Sequence, residues 1–232
     1  MNFVRRASER GVFDHGWLKT AHTFSFGDYR DPRFMGFRAL RVINEDVVEP
    51  GEGFPMHPHR DMEILTYIIE GALEHRDSMG SGSVIRPGDM QYMSAASGVL
   101  HSEFNPSKDK PVHLLQIWIL PAESGGKPLY SEAHFAPEKR RNRLCLVASE
   151  DGREGALRVR QDVELHASLL DKGQAAGLPC RKGRYFWIQL AKGRIEVDGA
   201  VLEAGDGMAL WEVDRIDIRA LEDAEFILFD LP

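Results

Sequence analysis

Cysteine is nearly absent from this chain. Cys145 and Cys180 are the only two in 232 residues, and they lie far apart with no C-x-x-C spacing. That excludes a disulfide framework and a zinc ribbon, and it fits a reducing compartment. No uninterrupted apolar run approaches the roughly eighteen residues of a membrane-spanning helix. The opening stretch MNFVRRASERGVFDHG lacks the apolar core of a secretory leader. Positive charge is also short, with a formal net charge of −7, which argues against a nucleic-acid groove and its usual basic stripe. Lys139-Arg140-Arg141 and Arg181-Lys182 are local exceptions that read as solvated loop charge. The expectation is a cytoplasmic protein that binds neither nucleic acid nor membrane. Helical periodicity is missing before about residue 130, and histidine is missing after His166.

What is present is strand pattern. A hydrophobic fraction of 43% with 28% charge is globular composition, enough for one large β domain or two small ones. Short apolar runs are broken by turn signals such as Pro87-Gly88-Asp89, and the fold class expected is all-β. Residues 123–142, with Gly125-Gly126, Pro128 and then clustered charge, read as a linker holding at most a short helix. The second half reads as a worn copy of the first: IIEGALEH (68–75) lies over LAKGRIEV (190–197), and PGDM (87–90) over AGDG (204–207). The expected organisation is therefore 1–122, a linker, and 143–232.

The chemistry concentrates in GEGFPMHPHRDMEILTYIIEG, residues 51–71. His57 and His59 are two apart, so in an extended strand both imidazoles project from one face. LHSEFN repeats the device with His101 and Glu103. One His-x-His means little among nine histidines, but two such pairs framed by glycines and strand-like runs mean more. Together they offer three nitrogens and one carboxylate, a set that suits iron, copper, nickel or manganese. In the second copy the corresponding positions are expected at Pro179, Arg181, Ile218 and Ala220, so one metal per chain is expected.

The other histidines read more plainly. His75, two residues past Leu73, could point inward but is expected in a hydrogen-bonded loop, and His113 on the strand face opposite Gln116 and Trp118. His134 carries no ligand pattern, and the alternation of 157–169 puts His166 toward solvent. His22 is the polar residue to watch within an aromatic cluster of Phe24, Phe26, Tyr29, Phe34 and Phe37, which reads as a barrel-end plug.

The glycine and histidine spacing of 51–71 resembles the first cupin motif, and Gly88, His101 and Asn105 resemble the second. More narrowly, HTFSFGDYRDP (22–32), GFPMHPHRDMEILTYIIEG (53–71) and SGVLHSEFNPS (97–107) resemble the pirin family, in particular its bacterial branch with quercetin 2,3-dioxygenases. The resemblance implies two cupin-type barrels (a bicupin of double-stranded β-helices), the second without ligands. The usual motif-one glutamate position is Ile64 here, and Glu63 is one residue off, which turns it to the other face. By likeness to pirins, Glu103 is then the fourth ligand beside His57, His59 and His101, and Glu63 is a structural acid. The implied cofactor is one divalent metal, Fe(II) first, with Cu, Ni, Mn, Co or Zn as other occupants. The implied reaction opens a flavonol such as quercetin with O2, and Glu103 takes the 3-hydroxyl proton as the catalytic base. Phe54, Met56, Met62, Leu100 and Phe104 flank the ligands and would suit a flat aromatic substrate, although half of them must face the other side of their strands as core. The alternative from the same family is a metal-binding, redox-sensitive regulator with a protein partner.

Overall fold

The computed structural model describes residues 1–232. Strand β1 is Asn2–Arg5. The next eleven are β2 (Gly11–Asp14), β3 (Leu18–His22), β4 (Leu40–Val48), β5 (Gly53–His59), β6 (Glu63–Glu70), β7 (Leu73–Asp77), β8 (Gly82–Ile85), β9 (Asp89–Ser94), β10 (Val99–Phe104), β11 (Val112–Ile119) and β12 (Leu129–His134). After a single α-helical turn, α1 (Pro137–Arg140), come β13 (Cys145–Ser149), β14 (Leu157–Arg158), β15 (Glu164–Leu170), β16 (Ala175–Pro179), β17 (Tyr185–Lys192) and β18 (Arg194–Val197). The chain closes with β19 (Ala200–Glu203), β20 (Gly207–Trp211), β21 (Arg215–Ala220) and β22 (Ala224–Leu231). The all-β bicupin expectation holds.

Two compact units form. One comprises Gly11–His134 with Val159–Gln161, and the other Met1–Arg10, Phe135–Arg158 and Asp162–Pro232. The first is built from a seven-stranded sheet, β12-β9-β6-β11-β4-β3-β2, and a four-stranded sheet, β5-β10-β7-β8. The second repeats the plan with β1-β20-β17-β22-β15-β13-β14 and β16-β21-β18-β19. Gly71 and Gly193 occupy the matching hairpin turns at φ +83° and +79°, a left-handed conformation that glycine adopts without steric cost.

Three segments differ from the sequence expectation. The first ten residues, expected in the N-terminal domain, join the C-terminal unit, because β1 adds to the edge of its sheet by pairing with β20. Residues 129–134, expected in the linker, form β12, an edge strand paired with β9. Edge strands bury little, so their apolar alternation is weak and the pattern is easily missed. The alternating run 157–169 is broken between β14 and β15.

Strand pairing shows how one plan gives two interiors. In the first unit, Ile68, Leu73, Val112 and Leu114 belong to one apolar cluster, and Ile64, Met93, Ala95 and Val99 to another. Thr66 lies between Ile64 and Ile68 on β6, directly opposite Gln91 on β9 and Gln116 on β11. His75 and Glu103 pair across β7 and β10, completing a polar belt between the clusters. In the second unit the same register places Ile188 opposite Met208 and Leu228, and Val197 opposite Ile218, all in one continuous apolar core. The positions that match His57, His59, His101 and Glu103 of the first unit are therefore Leu178 and Cys180 on one side, and Ile216 and Ile218 on the other. These differ by one or two residues from the positions read off the sequence, because the loops between copies differ in length. The chemical outcome is unchanged: the second interior holds apolar side chains where the first holds imidazoles and a carboxylate.

Candidate metal centre

His57 and His59 reach the site from β5, and His101 from its neighbour β10, where His101 pairs directly with His57. The β5–β10 register shifts between His57 and Phe54, where β5 carries one extra residue; the bulge re-aims Phe54, while His101 and Glu103 stay on one face of β10. The three rings converge, with centroids 4.8 Å apart for His57–His59, 4.5 Å for His57–His101 and 4.8 Å for His59–His101. The Nε2 atoms of His57 and His101 lie 3.1 Å apart. His57 donates its Nδ1–H to the Pro55 carbonyl at 2.7 Å, which leaves the Nε2 lone pair facing the cluster.

The electrostatics suit a cation. Burial, and then the charge of His57, lower the His59 pKa to about 4. Burial, followed by the charges of His57, His59 and His75, lowers that of His101 to about 2. Two neutral imidazoles therefore present lone pairs at neutral pH without first losing a proton.

Glu103 is fully buried on the same strand face as His101. Gln116 donates to its Oε2 at 2.8 Å, while Gln91 and Thr66 donate to Oε1 at 3.4 Å. Even with these donors, burial, helped by the charge of Asp46, raises the Glu103 pKa to about 7. The ligand atoms form two overlapping groups rather than one. His57, His59 and His101 lie within 4.8 Å of one another, and so do His75, His101 and Glu103.

His75 is the residue the sequence reading missed. It lies in β7 rather than a loop and is completely buried. Its Nδ1 is 3.4 Å from His101 Nδ1 and its Nε2 is 3.3 Å from Asp77 Oδ2, while Tyr130 stacks on the ring at 4.6 Å. The available signal was the alternation of Leu73 and His75, both inward, in a strand too short for periodicity to decide. His166 is buried as well, not solvent-facing, since β15 is an interior strand covered on both faces. His113 pairs with Glu45 and His134 with Asp89, both away from the cluster. Glu63 is a structural acid: fully buried, it accepts hydrogen bonds from Tyr92, from Ser94 at 2.8 Å and from the Arg160 N–H at 3.2 Å.

A cavity of about 250 Å³ opens beside the ligands, walled by Phe26, Phe54, Trp118, Asn44, Asp46 and Gln116 as well as His57, His59, His101 and Glu103. Of the five flanking apolar residues, half of which were expected to face away, Phe54 lines it. Met56 and Leu100 are on the outer face of their strands at 53% and 45% exposure, and Met62 packs on the Ile64–Met93 cluster. The period-two alternation of a strand turns Met56 and Leu100 away from the site, and Met62 lies in the turn between β5 and β6.

Residues 4–119 match the family profile described as Pirin, and residues 146–231 match one described as quercetinase C-terminal cupin domain. The chain is 48% identical over 232 residues to a protein of Escherichia coli K12 named quercetin 2,3-dioxygenase, covering all of this chain and 99% of that one. The crystal structure of the bacterial pirin YhhW from Escherichia coli in complex with nickel(II) is likewise 48% identical, with a TM-score of 0.95 over 100% of this chain and 99% of that one. Escherichia coli YhaK is more distant, at 33% identity and a TM-score of 0.77 over 96% and 98% of the two chains. The polar belt in the first barrel, its apolar counterpart in the second and these full-length likenesses agree: this chain belongs to the pirin family, as a metal-dependent cupin with a histidine cluster suited to one transition metal.

Proposed function

We propose that this protein is a dioxygenase that opens flavonols such as quercetin with O2, using one divalent metal, Fe(II) first, held by His57, His59, His101 and Glu103. One observation carries the reading. Three converging imidazoles and a buried carboxylate line one face of a cavity whose other walls are Phe26, Phe54 and Trp118. Four protein ligands of this kind leave coordination positions open, and an ion bound there supplies redox chemistry toward O2.

The remaining roles belong to the chain. The aromatic walls take up a flat ring system and keep water from it. Glu103 accepts the 3-hydroxyl proton of the flavonol, the step that makes the ring electron-rich. Glu103 is fully buried on the cavity wall beside the three imidazoles, which places its carboxylate within reach of that proton. Gln91, Gln116 and Thr66 fix the orientation of that carboxylate. His75 bridges Asp77 and His101, holding the His101 ring in place.

The test is turnover. Protein stripped of metal and reloaded separately with Fe(II), Cu(II), Ni(II), Mn(II) and Co(II) is mixed with quercetin under air and under nitrogen. Loss of the flavonol absorbance under air alone, with at least one metal, supports the reading. No loss with any of the five overturns it.

A further inference from the structure

A second cavity, of about 190 Å³, adjoins the one beside the ligands and shares Phe26, Asn44, Asp46 and Phe54 with it. Neither alone reaches the roughly 300 Å³ at which ligand sites usually begin, whereas the two together do. Asn44 and Asp46 stand two apart on β4, each 4% exposed, at the junction of the two spaces. β3 places Thr20 directly across from Asp46 and His22 across from Asn44. Thr20 donates a hydrogen bond to the Asp46 carboxyl. The Oδ1 atoms of Asn44 and Asp46 are nevertheless buried without any partner.

Buried polar atoms are almost always hydrogen-bonded, so two orphans on one strand face, both in residues that line a cavity, call for an explanation. The mechanism above uses neither. Both orphans are acceptors, which defines the chemistry that would satisfy them: a ligand that brings hydroxyl donors. The aromatic walls shared by the two cavities require those hydroxyls to sit on a flat ring.

We propose that Asn44 and Asp46 form a hydroxyl-recognition subsite that selects polyhydroxylated aryl substrates, accepting hydrogen bonds from a ring remote from the metal-facing oxygen. The assignment of this ligand class rests on the flavonol reading given above. The subsite explains why the pocket extends past the metal ligands, and it makes Asp46 a specificity-determining residue rather than a core anomaly. A site built to receive a hydroxyl discriminates strongly against a ligand that lacks it, because its own polar groups are then left unpaired.

The experiment compares two ligands on zinc-loaded protein, where redox-inert zinc prevents turnover. Quercetin carries additional ring hydroxyls, and 3-hydroxyflavone carries only the one beside its carbonyl. The expected result is that wild type binds quercetin about ten- to a hundredfold more tightly, the size of one hydrogen bond to a charged acceptor. In Asp46→Ala that preference falls to within about twofold. Asp46→Leu keeps most of the side-chain volume without an acceptor and serves the same comparison if Asp46→Ala does not fold, as judged by thermal melting. A preference that persists in the variants, a wild type without preference, or a wild type that binds neither compound overturns the subsite. Turnover by iron-loaded protein is scored separately. Bound quercetin that is never opened overturns the dioxygenase reading and leaves the subsite standing.

Discussion

Replacing Glu103 with glutamine is expected to flatten the pH dependence of metal affinity. The metal takes the carboxylate, so below the pKa of the metal-free site a proton competes with it. With that pKa at about 7, Glu103 is almost wholly protonated at pH 5. Removing the proton over those two units costs about 2.7 kcal/mol, or roughly 100-fold in affinity. Above pH 8 the cost vanishes. Glutamine has no proton to lose, so the ratio of wild-type to Glu103→Gln affinity should fall about 100-fold between pH 8 and pH 5. Histidine titrations contribute equally to both proteins and cancel in that ratio. Isothermal titration of Ni(II) in two buffers of different ionisation enthalpy measures both the affinity and the protons released. A ratio that stays constant from pH 8 to pH 5 would refute the ligand role of Glu103. The metal-free fold supplies an independent sign. Because the folded pKa lies above the ordinary 4.5, the stability contribution of Glu103 is complete below about 4.5 and is lost as pH rises through 7. The loss is about 3 kcal/mol in wild type, and Glu103→Gln should abolish it in denaturant titrations.

The other expectations concern the frame around the ligands. Alanine at His57, His59 or His101 should each lower bound metal per chain, whereas His75→Ala should retain a site weakened by roughly 10–100-fold, as expected for a residue that orients a ligand; equal loss in His75→Ala and His57→Ala would make His75 a ligand. A Cβ on Gly53 would overlap the Glu103 carbonyl oxygen and the Phe104 backbone, so Gly53→Ala should prise β5 from β10. Both melting temperature and Ni(II) affinity should then fall although no ligand is touched. Tyr92→Phe removes a hydroxyl donor from the fully buried Glu63 carboxylate and should cost about 1–3 kcal/mol in denaturant unfolding. Its metal stoichiometry should stay unchanged, since Glu63 is not among the clustered ligand groups.

The residues legible from sequence were those whose evidence is local. His57 with His59, and His101 with Glu103, share strand faces whatever the rest of the fold does, because a strand's side-chain period is two. The paired glycines at 71 and 193 exposed the internal repeat for the same reason, since each marks a turn that needs a left-handed residue. The absence of histidine after His166 was enough to show, without any structure, that the later strands offer no imidazole.

Tertiary structure decided what depends on partners distant in the chain. His75 became part of the site only when β7 paired with β10 and carried it against His101. Asn44 and Asp46 look like ordinary polar strand residues until β3 and β4 enclose them beside a cavity. Met56 and Leu100 adjoin ligands in sequence yet face outward, since the neighbour of an inward residue points the other way. Strands β1 and β12 bury too little to carry a pattern, and only the edges that accept them reveal them as strands. The sequence thus determined which histidines and carboxylates share a strand face and in which barrel they lie. Burial, which raises the pKa of Glu103 and strands the acceptors of Asn44 and Asp46, is a property of packing between strands far apart in the chain, and no local window of residues contains it.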